Sequence, residues 1–404
     1  MKELFQVLTV DKAREKIVQN YVFHQEIESV KIAQGFGRKL AQDITVSLPV
    51  PGFNRSTVDG YAVKSTDTFG ASESLPALLT IVGEIPMGSK TEIALSANEA
   101  AAIATGGMLP RDADAVVMIE YTEKIDDVTI EVSKAVAPGD NVLRKGEDFA
   151  EGDLVLPKGT RIGPFEMGLM AGTGYDTLLV ERPLRVGIIS TGEELVNPGE
   201  VPQIGQIRDI NSYCLSGLVE QSGCNPALYG IVRDNRNELT KALHQAVQEN
   251  DLVIISGGSS IGMRDMTLEV LEEGLLFHGV AMRPGKPTLA SVIDEKLVIG
   301  LPGHPASAAI AFYVLVKPLL ENGCYLNTGK VIWATLSRNL ASGPGREDYI
   351  RVKLASAAEG YTVATPVLGK SGLIRPLVEA DGLVKIPLHK EGLSAGERVE
   401  VYLF

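Results

Sequence analysis

The spacing of hydrophobic and polar positions changes several times along the chain, and each change marks a region. Residues 1–46 carry helical spacing. Thr9 reads as an N-cap before VDKAREKIVQN, and shorter helical pieces are expected around 29–34 and 38–43. Between 78 and 136 the segments LLTIVGEI, EAAAIATGG, AVVMIEY and VTIEV are separated by Gly, Pro, Asp and Asn. No long helical period interrupts them, which predicts a small β-rich domain. Residues 151–182 combine a turn-rich stretch with a helix opening at Pro164. From Leu184 strands and helices alternate: LRVGIIST, NSYCLSGLVEQSG, NPALYGIVRD, RNELTKALHQAVQEN, DLVIISGG and RDMTLEVLEEG. Two further strands, FHGVAMRPGK and KLVIGLPG, precede an apolar helix that opens at Pro305. This alternation predicts a mainly parallel sheet covered by helices on both faces. Residues 330–404 return to period two in YIRVKL, YTVATPV, GLVKIPL and ERVEVYLF, the pattern of a small antiparallel β domain.

Composition narrows the picture without changing it. At 404 residues two to four domains are expected, and 45% hydrophobic with 22% charged residues describes an ordinary folded soluble chain. A net charge of −13 argues against nonspecific nucleic-acid binding, which needs clustered Lys and Arg. Cys214, Cys224 and Cys324 form no C-x-x-C pair, which fits a reducing, cytoplasmic setting without a structural zinc site. MKELFQVLTVDKARE reaches charged residues too soon for a signal peptide. The apolar run 297–316 is broken by Pro302-Gly303-His304-Pro305 and reads as a buried strand and helix, so no membrane association is expected.

Candidate chemistry gathers where the strands of the alternating region end, the place where such sheets bind ligands. Ser190-Thr191-Gly192-Glu193-Glu194 follows the first strand, and Arg233-Asp234 the next. Ser256-Gly257-Gly258-Ser259-Ser260 leads through a turn to Asp265 and a helix over 264–274. Glycines there let the backbone approach an anion, and a helix N-terminus favours it. Arg283-Pro284-Gly285-Lys286-Pro287 and Pro302-Gly303-His304-Pro305 complete the set. Glu194, Asp234 and Asp265 together with Arg283 and Lys286 suit a phosphate bridged by Mg²⁺, or else simply cap helices. Outside this region, Asp59-Gly60 has the form of a turn. Thr105-Gly106-Gly107 and Glu120 sit at strand ends, and Arg144, Lys145, Glu147 and Asp148 share a loop that is either functional or a surface ion-pair cluster. Arg346, Arg351 and Gly369-Lys370-Ser371-Gly372 are the polar features of the last region. Gly172-Thr173-Gly174 follows a helix and lacks the third glycine, which rejects a dinucleotide fingerprint. There is no Ser–His–Asp order, HExxH or P-loop.

PGFNRSTVDGYAV, IATGGMLPRDADAVVMIE, LRKGEDFAEGDLVLPKGTRI, VGIISTGEELV, SGGSSIGMRD, MRPGKPT and GLPGHPASA occur in that order. Over nearly its full length the chain thereby resembles the molybdopterin molybdenumtransferases, of the bacterial MoeA and gephyrin E-domain type. The resemblance implies a multidomain α/β plus β fold and a homodimer. Residues 1–46 and 146–182 would form a discontinuous elongated domain, with a β-rich domain, 47–145, inserted. Residues 183–329 would be the α/β molybdopterin-binding domain, and 330–404 a C-terminal β-barrel-like domain. The implied reaction inserts molybdate into adenylylated molybdopterin with Mg²⁺-dependent release of AMP, and the upstream adenylyltransferase becomes a candidate partner. Asp59, Glu194, Asp234 and Asp265 would then be catalytic, the last three serving the metal. Ser256, Gly257, Gly258, Pro302 and Pro305 would hold the pterin phosphate and nucleotide. Arg283, Lys286 or Arg351 would hold molybdate, and Arg351 and Ser371 would come from the C-terminal domain. Asp59, Thr105, Arg144 and Asp148 would reach the cleft from the other subunit. The chain departs from the family pattern at Val58, at Glu193, at Ser259 in the usual GGVSVG, at Arg283 in KPGKP and at His304 in PGNP. A non-catalytic pterin-binding scaffold, a tungstate-preferring version of the enzyme and a nucleotide pyrophosphatase are the competing readings.

Overall fold

A computed structural model describes residues 7–257, 266–322, 330–358 and 360–404. They fall into two compact units, one running up to Glu26 and resuming at Arg182–Phe404, the other Ile27–Glu181.

The first unit is built on a six-stranded sheet in the order Asn225–Val232, Arg185–Thr191, Leu252–Gly257, Lys296–Leu301, Leu289–Ile293, Leu275–His278. The first four strands are mutually parallel, and Leu289–Ile293 runs against both its neighbours. Unbroken apolar runs make these strands because helices cover both faces. Val186, Ile188, Leu252, Ile254, Leu297 and Ile299 pack on Leu215 and Val219 of the helix Asn211–Gln221. Ile189, Val253, Ile255 and Val298 face the other way, onto Leu239, Leu243, Ala246 and Val247 of the helix Arg236–Glu249. Val10, Ala13 and Ile17 of the helix Val10–Asn20 join the first of these cores, and Thr9 caps that helix by accepting from the Lys12 amide at 3.3 Å.

The C-terminal strands close on themselves. Glu347–Ser356, Thr362–Pro366, Val331–Leu336, Arg398–Leu403 and Gly382–Ile386 pair in sequence, and the last pairs back to the first. Leu336, Val352, Ala364, Val384, Ile386 and Val401 fill this five-stranded barrel. It is antiparallel except where Thr335–Leu336 runs parallel to Val363–Ala364.

The second unit holds a six-stranded sheet in the order Ala115–Met118, Gly60–Val63, Glu99–Ile103, Ala77–Ile85, Thr129–Val132, Thr122–Lys124. Alternate residues feed two cores, Val63, Ala115 and Val117 on one face and Ala62, Ala101 and Val116 on the other. A smaller cluster joins Leu40 and Ile44 to Ile162, Met170, Leu178 and Val180, so segments from both sides of the β sheet assemble one discontinuous subdomain. Its helix Pro164–Gly172 begins at the expected proline.

Five expectations need correction. Of the helical piece expected around 29–34 only Ile32–Gln34 is helical, as a short 3-10 turn; residues 27–31 form a strand paired antiparallel with Thr177–Glu181, because IESVK alternates exposed and half-buried positions with period two. Residues 38–43 are not helical; Lys39 and Leu40 form bridges to Arg161 and Val180. FHGVAMRPGK is two strands. Leu275–His278 stays in the central sheet, whereas Met282–Arg283 joins the barrel, parallel to Glu347–Asp348. Gly279, at φ 101°, separates the two. Leu289–Ile293 escaped notice because its hairpin turns on Asp294 and Glu295, at φ 46° and 63°, instead of the usual Asn-Gly pair. The long apolar helix is also divided, into Pro305–Ala311, a π-helical turn Phe312–Val316 and Lys317–Asn322. Among the described residues no helix is long and apolar enough to cross a membrane.

Candidate functional site

Two strand ends of the central sheet meet at Gly257 without room for a side chain, and a third passes beside them. Gly257 has φ 119°, and a Cβ built there would lie 2.0 Å from the Thr191 carbonyl oxygen. A Cβ on Gly303 would stand 3.5 Å from the Gly257 Cα. Only glycine tolerates such an approach at that φ, so this wall is made of backbone. Asn211, buried at the start of its helix, ties the wall together. Its Nδ2 donates to Ser256 Oγ at 2.7 Å and to the Gly303 carbonyl at 2.8 Å. Its Oδ1 is buried and, among the described residues, has no partner. Below it, Ser190 Oγ meets Ser212 Oγ at 2.8 Å and donates to Asp209 at 3.1 Å. Asn211 was missed in the sequence, where a helix-opening asparagine signals no more than a helix end.

The acidic residues line the rim. Thr191 Oγ1 donates to Asp234 Oδ1 at 2.7 Å, and Asp234 is otherwise exposed. Glu194 is also exposed, its carboxylate folded over Gly192, where a built Cβ would come within 2.9 Å of Oε2. Among the described residues no three His, Cys, Asp or Glu side chains gather as a metal cluster. Gly258 and Asp265, and the start of the helix expected at 264, lie outside the described residues.

Beside the wall, in the same unit, is a cavity of about 1070 Å³ between the segment Met282–Pro287, residues 304–307 and the barrel. Arg283, Lys286, Arg338, Arg346, Arg351 and Lys370 line it, against one carboxylate, Asp348, which accepts from Arg346 at 2.9 Å. In a chain of net charge −13 this concentration of cations marks an anion site. Arg351 is 8% exposed; its Nη2 donates to the Gly369 carbonyl at 2.8 Å, while its buried Nη1 has no partner among the described residues. Burial pulls the Arg351 pKa below its usual value. An unpaired buried donor of this kind costs roughly 1–3 kcal/mol, which an incoming anion relieves. The two halves of the site touch at His304. Its Nδ1 lies 2.9 Å from Ser371 Oγ, and the Ala306 amide donates to the Ser371 carbonyl at 3.0 Å. Pro302 is buried and Pro305 half-buried around this turn. The structure thus brings together Ser256, Gly257, Pro302 and Pro305, and separately Arg283, Lys286, Arg351 and Ser371. Arg338 was missed, being one isolated cation at a strand end.

In the second unit Asp59 is not merely a turn residue. Its Oδ1 accepts from the Thr105 amide at 2.7 Å and from the Thr105 hydroxyl at 3.0 Å. The amide first, and then the hydroxyl, hold this exposed carboxyl below its ordinary pKa. Gly60 is required next to it, because a Cβ there would lie 1.9 Å from the Val117 carbonyl oxygen. The Thr57 amide donates to the Asn141 carbonyl and the Lys145 amide to Asn54, which brings the Arg144–Asp148 loop alongside the segment that carries Asp59. Arg144 and Asp148 are exposed there, with the Arg144 guanidinium over Gly139. Arg144 and Asp148 form no ion pair with each other among the described residues.

A parallel α/β sheet with a glycine-walled strand-end cleft, joined to a cationic β barrel, defines a class of anion-binding α/β protein, and comparison places it more closely. The MoeA N-terminal region (domain I and II) matches residues 8–174, the probable molybdopterin binding domain residues 187–322, and the MoeA C-terminal region (domain IV) residues 334–404. The chain belongs to the MoeA family. It is 38% identical to a putative molybdopterin biosynthesis protein of Methanocaldococcus jannaschii, over 96% of this chain and 95% of that one. It is 34% identical to the molybdopterin molybdenumtransferase of Haemophilus influenzae, over 98% and 99%. A crystal structure of a molybdopterin biosynthesis MoeA protein from Pyrococcus horikoshii superposes with a TM-score of 0.85 at 39% identity, covering 98% of this chain and 99% of that one.

Proposed function

We propose that this protein is a molybdopterin molybdenumtransferase that inserts molybdate into adenylylated molybdopterin and releases AMP. The observation that carries the reading is the adjacency of two complementary anion sites, a backbone wall at Gly257 and Gly303 and a cationic cavity around the Arg351 Nη1, which has no partner among the described residues. The wall takes the pterin phosphate and the nucleotide, with Ser256, Gly258, Pro302 and Pro305 around them. Arg283, Lys286 and Arg351 hold the molybdate dianion, and Ser371 adds a hydroxyl.

The rim fits Mg²⁺ in its donor chemistry: Asp234 and Glu194 are exposed oxygen donors on neighbouring strand ends, and Asp265 is the third expected ligand. When bound, Mg²⁺ would supply positive charge that neutralises the substrate's phosphate oxygens. This chain's own residues orient the phosphoanhydride, offset its charge and align molybdate. Such a reaction depends on positioning more than on a strong base. In a homodimer, Asp59, Thr105, Arg144 and Asp148 complete the cleft of the partner copy. The four-domain division at 46, 145, 182 and 329 is part of the same reading, as are residence in the cytoplasm and delivery of substrate by the upstream adenylyltransferase.

The test is single-turnover AMP release from adenylylated molybdopterin with Mg²⁺ and either molybdate or tungstate. AMP release coupled to cofactor formation is expected, and Asp234→Asn should slow it about 10- to 100-fold by removing a ligand charge. Pterin binding without AMP release would instead mean a scaffold, and comparable cleavage of simple dinucleotides a pyrophosphatase. Faster turnover with tungstate would reassign the oxyanion.

A further inference from the structure

His304 lies where the two anion sites meet, and that position gives it a distinct task. Its Nδ1 lies 2.9 Å from Ser371 Oγ, and both residues line the cationic cavity. A serine hydroxyl has one proton, so the direction of this hydrogen bond decides what Ser371 offers the cavity. If Nδ1 is bare, Ser371 donates to His304 and presents only lone pairs, which an oxyanion repels. If Nδ1 carries a proton, His304 donates to Ser371, and the hydroxyl is free to donate to an anion. We propose that His304 is a positioning residue for oxyanion capture, whose Nδ1 proton turns the Ser371 hydroxyl from acceptor-facing to donor-facing. This inference rests on the oxyanion reading of the cavity.

The direction of the pH effect follows. Imidazolium always carries the Nδ1 proton, whereas neutral imidazole divides between two tautomers. The charged groups that line the cavity with His304 are Arg283 and Lys286 on the Met282–Pro287 segment, Lys370 on the Ser371 turn, and Arg338, Arg346, Arg351 and Asp348 on the barrel. A bound dianion adds a negative charge that attracts an imidazolium. Oxyanion binding and proton uptake at His304 therefore favour each other.

The experiment is calorimetric titration of the full-length protein with inorganic molybdate across about pH 5 to 8, in buffers of different ionisation enthalpy. Affinity is expected to strengthen as pH falls, by at most about tenfold per unit, with net proton uptake on binding. His304→Asn keeps a side-chain N–H for Ser371 but cannot titrate, so it should bind molybdate with a flat pH profile and no proton uptake. His304→Ala should weaken binding at every pH. A wild-type profile as flat as that of His304→Asn would overturn the role of His304 and leave the cavity reading intact. Molybdate binding that fails, or that Arg351→Ala leaves unchanged, would overturn the cavity reading and this inference together.

Discussion

On the proposed reading, the glycine wall and the cationic cavity address anions by opposite means. At Gly257 recognition comes from a missing side chain: two strand ends approach so closely that a single methyl group there would collide with a carbonyl 2.0 Å away. In the barrel cavity it comes from long side chains, one of them a buried guanidinium with a donor that has no partner among the described residues. The first site is a matter of shape, insensitive to salt and intolerant of volume. The second is a matter of charge, tolerant of volume and screened by ions. A substrate with a phosphate at one end and an incoming oxyanion at the other uses both.

Substitutions can separate the two. Gly257→Ala should have the largest effect, because φ 119° alone costs alanine roughly 1–3 kcal/mol before the clash with Thr191 is counted. Displacing the wall should lower AMP release by about a hundredfold or more, while molybdate titration of the cavity stays measurable. If AMP release survived, backbone approach would not be the basis of the wall. Arg351→Ala should weaken molybdate binding about 10- to 100-fold, with raised salt further weakening what remains. Arg351→Lys should not restore it, since an ammonium cannot donate to Gly369 and to an anion with the same planar geometry. Full rescue by lysine would reduce the role of Arg351 to charge alone.

The smallest effect concerns Asp59, where anchoring is local and exposed. Its pKa is depressed by the Thr105 hydrogen bonds, so the anchoring is complete above the ordinary carboxyl range and is lost as pH falls through the depressed value. The Thr105 amide resonance should report that titration by NMR. In Asp59→Asn the step should vanish while the fold and its melting temperature scarcely change. A step at the usual carboxyl pKa would mean that the Thr105 contacts do not persist in solution.

These contrasts also explain what could be read from the sequence. The parallel core was legible because VGII and LVII runs have no other stable home than a sheet buried on both faces. Thr9 and Pro164 announced their helices through local chemistry that tertiary context did not override. Gly257, Ser256 and Arg351 were legible as strand-end or barrel residues, but not their contacts. Nothing local in IESVK predicts its partner at 177–181, more than a hundred residues away. The Asp294-Glu295 turn hid a strand because Glu is not a usual occupant of left-handed backbone and the pair lacks the glycine that marks a two-residue hairpin. Asn211 was invisible as a functional residue because its importance lies in two acceptors that only the folded sheet brings within reach.

The two-residue strand Met282–Arg283 bears on how this architecture can vary. It lies well before the residues matched as the C-terminal region, which begin at 334, yet it pairs with Glu347–Asp348, and the Ala281 carbonyl receives the Glu347 amide at 2.8 Å. The barrel therefore carries a strand that the preceding region of the chain encodes. A recombination event that exchanged residues 330–404 alone would import a barrel with its docking edge bare, and would strand Arg283 without the partner that aims it. Inheritance of the cavity is tied to inheritance of both regions, so cavity chemistry should drift between relatives by point substitution and not by module exchange.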